Sequence, residues 1–187
     1  MAREFQLTGY LRILAANQVD YLIVGGVGGR IQGAATTTQD IDIMPDPNPE
    51  NLVRLAAALS GIDTRKKEAG STSYEDHDAV DPMEFRTVDI ASFETRYGTI
   101  DVLMELPGVG TFDVVNQHAR GYEWQGIELR IASLDDIITS KESADRAKDW
   151  RAMDALYEAR DRLRERPDEF GLSNDDLDVQ RDSDETP

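Results

Sequence analysis

Residues 21–44 read YLIVGGVGGRIQGAATTTQDIDIM, and the fold is decided there. Tyr21-Leu22-Ile23-Val24 is a short apolar run ending in Gly25-Gly26, the pattern of a buried strand entering a tight turn. A short helix packed close to that strand is expected over Val27 to Gly33. Further on, Ile41, Ile43 and Met44 alternate with Asp40 and Asp42, so a second strand carries both carboxylates on one face. Like charges that close raise each other's pKa unless a cation sits between them. A hard divalent cation resolves the conflict, and magnesium takes one or two carboxylates plus substrate phosphates. The plain alternative is a strand with a solvated acidic face. Between a strand and a helix, a glycine pair lets backbone N–H groups receive a phosphate. It can equally serve only to let helix and strand approach. Gly-Gly, thirteen residues, then Asp-Ile-Asp-Ile is more specific than either part.

Working outward, Phe5 to Asn17 has the apolar spacing of a helix through Leu7, Tyr10, Leu11 and Leu14. Pro45, Pro47 and Pro49 end the second strand. Asn48 caps the next helix with Pro49 at its first position, and Gly61 stops it. Residues 62–84 are polar and weakly patterned and read as a long loop. Strands are expected over Phe85 to Phe93 and Thr99 to Met104, then a short helix over Phe112 to His118. Gln125-Gly126 reads as the turn of a hairpin reaching Ile131. Ser133 caps a helix through Ile137 and Lys141, and a last helix spans about Arg146 to Arg164. The mixed order predicts an α+β domain, a small mixed sheet flanked by helices, over residues 1–164, with a C-terminal helical unit from about 133. His77 and His118 read as surface residues, and Trp124 and Trp150 as core.

The composition, 40% hydrophobic and 30% charged in 187 residues, is that of a globular chain. The absence of cysteine excludes disulfides, thiolate metal sites and cysteine nucleophiles. No apolar run reaches the length of a membrane span, and the first residues lack signal-peptide features, so a cytoplasmic protein without a membrane partner is expected. The net charge is −17. Residues 165–187 hold nine acidic and two basic side chains and read as a disordered tail, leaving the body at −10. Such a body repels a phosphate backbone except at a local basic patch.

Taken together, the motifs resemble those of the minimal nucleotidyltransferases of the DNA polymerase β superfamily, most nearly the AbiEii-type and related toxin-like members. The resemblance runs through residues 21–44, YGTIDVLMELPG at 97–108 and IASLDDIITSKESADRAKDW at 131–150, with the stretch at 62–84 unmatched. It implies that Gly25 and Gly26 contact a nucleoside triphosphate and that Asp40 and Asp42 hold one or two magnesium (or manganese) ions. Asp101 is the matching third carboxylate, a metal ligand that would activate the attacking hydroxyl; Asp89, flanked by Val88 and Ile90, is its competitor. Lys141 matches a lysine that reaches the triphosphate. Arg146, Lys148 and Asp149 match a following stretch in which the basic residues would hold phosphate and Asp149 would orient them, although exposed charge pairing explains these side chains too, as for Lys141 with Asp145. Thr38 is retained. Thr36 stands where many relatives have an arginine, and Arg30 is the substitute within reach of the preceding helix.

The implied activity is magnesium-dependent transfer of a nucleoside monophosphate to an acceptor hydroxyl. A tRNA 3′ end or a protein is the favoured acceptor, with a small molecule such as an aminoglycoside as the third class. The toxin-like resemblance adds a cognate antitoxin as partner. Thr36 motivates the rival reading, a nucleotide-binding or partner-binding module on the same fold without turnover. A purely structural domain with surface carboxylates is the third reading.

Overall fold

The computed structural model describes residues 4–67, 74–76, 79–144 and 150–165. In chain order the elements are α1 (Leu7–Ala16), β1 (Tyr21–Val24), α2 (Gly25–Ile31), β2 (Asp40–Pro45), α3 (Pro49–Ser60), β3 (Arg65–Lys67) and β4 (Tyr74–Asp76). A 3₁₀ turn at Pro82–Arg86 leads into β5 (Ile90–Thr95), β6 (Gly98–Leu103), β7 (Glu105–Leu106), β8 (Gly110–Thr111) and α4 (Phe112–His118). The hairpin β9 (Arg120–Trp124) and β10 (Ile127–Ile131) precedes α5 (Leu134–Ala144) and α6 (Trp150–Glu165). The strands form an eight-stranded mixed sheet in the order β4-β3-β5-β6-β2-β1-β10-β9, with β7 and β8 as a separate ribbon. β2 runs parallel to β6 and β1 parallel to β10; the other neighbours are antiparallel. This is the expected α+β architecture.

Period-two alternation sorts the sheet's side chains onto two faces. Ile41 and Ile43 of β2, Ala91 and Phe93 of β5, and Ile100 and Val102 of β6 share one core with Tyr10, Leu11 and Leu14 of α1 and Leu52, Leu55 and Leu59 of α3. Leu22, Val24, Met44 and Leu103 belong to a second core with Ile137 and Ile138 of α5 and Met153, Leu156 and Leu163 of α6. The strand positions between residues of the first core, Asp40, Asp42, Ser92 and Asp101, therefore fall on the α5–α6 side.

Local chemistry explains most boundaries. The Asn48 side chain accepts from the Glu50 N–H at 2.9 Å, with Pro49 opening α3. Ser133 Oγ accepts from the Asp136 N–H at 3.1 Å. Gln125 and Gly126 both have positive φ, as a two-residue type I′ hairpin requires. Trp124 is buried as expected; of Trp150 the backbone alone is described. α2 is rich in glycine because its neighbours leave no room: a Cβ on Gly28 would lie 3.0 Å from Ile137 Cδ1, and one on Gly29 2.6 Å from Leu156 Cδ2.

Two expectations change. The stretch 62–84 is not one long loop, since β3 joins the sheet beside β5 and pairs with β4. Its signal was hidden because these strand residues are charged. Arg65 is paired with Glu94 of β5, and Lys66 with Glu84 of the 3₁₀ turn, so ion pairing stands where alternating apolar residues would mark a strand. Phe85 is not in a strand. Asp81 and Glu84 form a capping box around Pro82, which winds the chain into the 3₁₀ turn and tucks the Phe85 ring edge-on against Phe93 at 6.1 Å. His118 is exposed, as expected, and its Nδ1 lies 3.3 Å from an oxygen of the buried Asp136. His77, Arg146, Lys148, Asp149 and the tail beyond Glu165 lie outside the described residues. Among the described residues no helix is long and apolar enough to cross a membrane.

Candidate active site

The parallel pairing of β2 with β6 aligns Asp42 with Asp101, and Asp40 lies two residues earlier on the same face of β2. Antiparallel β5 aligns Ser92 with Asp101, and β1 aligns Val24 with Asp42. The three aspartates line a single cleft of about 680 Å³ together with Gly25, Gly26 and Thr36 to Gln39. The other walls are Ile137, Ser140, Lys141 and Ala144 of α5, Leu156 of α6, and Ile90, Leu103, Leu106 and Pro107. Asp89, the competitor for third carboxylate, is exposed just ahead of β5 and does not line the cleft. Arg30 does not line it either. It sits in the last turn of α2, about 7.5 Å along the helix axis from Gly25, at the end away from the glycine turn.

Each carboxylate is held by its own donor. Thr38 Oγ1 donates to Asp40 Oδ1 at 2.6 Å. Ser92 Oγ donates to Asp101 Oδ1, also at 2.6 Å. The Gly26 N–H donates to Asp42. Burial, then the nearby charges of Asp40 and Asp101, push the Asp42 carboxyl up to about 7; Lys141 and the Gly26 N–H pull the other way.

The glycine pair has a more immediate task than receiving a phosphate. Gly25 has φ +61°, and a Cβ there would lie 2.0 Å from Asp42 Oδ2. A Cβ on Gly26 would lie 2.9 Å from Thr38 Oγ1. The turn is thus shaped to admit Asp42 and Thr38, and the Gly26 N–H is turned onto protein rather than towards an outside ligand. In the cleft wall, Thr36 Oγ1 is buried without a hydrogen-bond partner among the described residues. Lys141 is the single cationic side chain among the described residues that line the cleft.

The donor set suits a hard divalent cation: oxygen ligands, and a cluster of like charges whose strain on Asp42 a cation would relieve. No three acidic or histidine side chains among the described residues close on one point as a ready-made cage. Magnesium, which keeps one or two carboxylates and takes the rest of its shell from phosphates and water, fits such an open set.

Sequence reasoning missed Ser92 and Ser140 and the apolar wall from Leu103 to Pro107. For Ser92 a signal was present: in Ile90-Ala91-Ser92-Phe93 it is the polar position of an otherwise apolar alternation.

No family model matches the chain, and no curated protein matches it in sequence. Solved structures do match. The lincosamide antibiotic adenylyltransferase LnuA, with lincomycin bound, is similar at a TM-score of 0.57 and 13% identity, over 84% of this chain and 99% of that one. ANT(2")-Ia, in complex with adenylyl-2"-tobramycin, is similar at a TM-score of 0.52 and 16% identity, over 86% of this chain and 96% of that one. The chain has the fold of these nucleotidyltransferases.

Proposed function

We propose that, on this nucleotidyltransferase fold, the cleft transfers a nucleoside monophosphate from a magnesium-bound triphosphate to a hydroxyl of a small, amine-bearing molecule, releasing pyrophosphate. The observation that carries the reading is the register of β2 on β6, which brings Asp40, Asp42 and Asp101 to one wall of the cleft with Lys141 among the lining residues. Asp40 and Asp42 would hold the cation, with Asp101 beside them. The cation, when bound, supplies charge neutralisation at the phosphates and lowers the pKa of an oxygen it contacts. Lys141 offers a point charge to the triphosphate. Asp101 takes the acceptor's proton, and Leu103, Leu106 and Pro107 exclude water beside it. Most of the catalysis is positioning and charge stabilisation.

The acceptor class follows from the same walls. With the carboxylates engaged by the cation, the apolar wall of Leu103, Leu106 and Pro107 suits a partly hydrophobic body, and a chain of net charge −17 favours a cationic molecule over a long polyanion. The LnuA structure holds lincomycin and the ANT(2")-Ia structure adenylyl-2"-tobramycin, which supports the reading. A tRNA 3′ end or a protein as acceptor, and a toxin role with an antitoxin, rest on the sequence resemblance alone. The assay offers labelled NTPs with magnesium or manganese to three pools: hydroxylated amines including lincosamides and aminoglycosides, total tRNA, and protein. Label on a small molecule, lost in Asp101→Asn, is the expected result. Label on tRNA or protein instead overturns the acceptor class.

One observation favours a second reading. With Thr36 in the cleft wall, Arg30 outside it, and Lys141 as the single lining cation among the described residues, the triphosphate meets little positive charge. A module that binds nucleotide without transferring it would give metal-dependent binding and no labelled product from any pool.

A further inference from the structure

We infer that Ser92 is a positioning residue for Asp101, setting the orientation in which that carboxylate meets metal-bound nucleotide. The inference rests on the reading of the cleft given above.

An aspartate's last torsion joins an sp³ to an sp² carbon and has a broad profile, so the backbone alone does not fix where its oxygens point. Something outside the residue must. For Asp101 one such group is Ser92 Oγ, which donates to Oδ1 at 2.6 Å, a length typical of a charge-assisted O–H···O⁻ bond. The pairing is built into the sheet. Ser92 and Asp101 are register partners in the antiparallel β5–β6 pair, so their side chains rise from the same face. Ser92 cannot slide, because Ala91 and Phe93 on either side are buried in the core against α1 and α3. Ser92 itself does not line the cleft and acts through Asp101. The arrangement mirrors Thr38 on Asp40, so the two outer carboxylates are each pinned by a hydroxyl while Asp42 takes the Gly26 N–H.

The experiment measures the affinity of the full chain for a non-hydrolysable NTP analogue with manganese, by calorimetry. The variants are Ser92→Ala, Ser92→Thr, Asp101→Asn and the Ser92→Ala/Asp101→Asn pair, each checked for an unchanged unfolding midpoint. Losing a hydrogen bond to a charged group predicts about tenfold weaker binding for Ser92→Ala. Ser92→Thr, which keeps the hydroxyl and suits a strand, restores affinity to within about twofold. The double variant binds no more weakly than Asp101→Asn, since residues sharing one interaction are not additive. Ser92→Ala binding as well as wild type, no rescue by threonine, or additive losses would each overturn the inference. If wild type shows no manganese-dependent binding, the reading of the cleft is overturned and this inference with it. Wild-type binding with an unaffected Ser92→Ala overturns this inference alone.

Discussion

The two faces of β2 show how one strand serves two ends. Ile41 and Ile43 point into the core that α1 and α3 close, and both are fully buried. Asp40 and Asp42, one residue out of phase, point to the α5–α6 side and line the cleft. The first face stabilises without conditions, since apolar burial does not depend on protons or metal. The second carries a cost from its like charges. Asp42 is half-buried among like charges, and the protein tolerates it because Lys141 and the Gly26 N–H offset part of the repulsion. On the proposed function, the cleft face is the part of the stability that a ligand changes, and the α1–α3 face the constant part.

The largest test of this contrast is pH. The folded-state pKa of Asp42 lies near 7, above the ordinary carboxyl value, so the folded chain holds that proton more tightly than the unfolded one. Its contribution is whole below about pH 4 and is lost as the pH rises through 7. At about 1.4 kcal/mol per pH unit of displacement, urea unfolding in a chelator should find wild type losing on the order of 4 kcal/mol more than Asp42→Asn between pH 4 and 8. Parallel pH profiles would remove the strain from the cleft face.

Ile43→Ala tests the other face. Truncating a fully buried isoleucine should destabilise by about 3 kcal/mol at every pH, with the wild-type pH profile simply lowered. A variant whose pH profile also changed shape would mean that the two faces are coupled through the strand. The smallest effect is the ligand's. A magnesium–NTP analogue at 100 times its Kd should add about 2.7 kcal/mol to wild type and to Ile43→Ala alike, and almost nothing to Asp42→Asn. Equal protection of all three would place the nucleotide elsewhere.

Much of this was legible beforehand, and the gaps have physical causes. The strands at 21–24 and 40–45 announced themselves because each is flanked by turn residues and carries a clear apolar pattern. β3 did not, because its side chains are satisfied by Glu94 and Glu84 rather than by burial. Phe85 misled because an apolar residue in a 3₁₀ turn looks, in one dimension, like the start of a strand. Gly25-Gly26 was read through its backbone N–H groups. The structure adds a reason of space, since only a residue without Cβ leaves room for the Asp42 carboxylate.

By itself the sequence determined the α+β class, the glycine turn, and the fact that Asp40 and Asp42 share a face, since each follows from local periodicity and turn chemistry. Resemblance to a family named Asp101 and Lys141 as the distant residues that join them, but what brings them there is a tertiary matter. Asp101 and Asp89 each sit between apolar neighbours and look alike locally; the parallel register of β6 on β2 places Asp101 in the cleft, while Asp89 falls before β5. The arrival of Lys141 depends on how α5 packs over the glycine-rich α2, and the bond from Ser92 on strand pairing across a turn. The Ser92 bond spans nine residues of one hairpin, whereas the contacts of Asp101 and Lys141 with the glycine turn and β2 are long-range, and no local pattern encodes a register between strands separated by more than fifty residues.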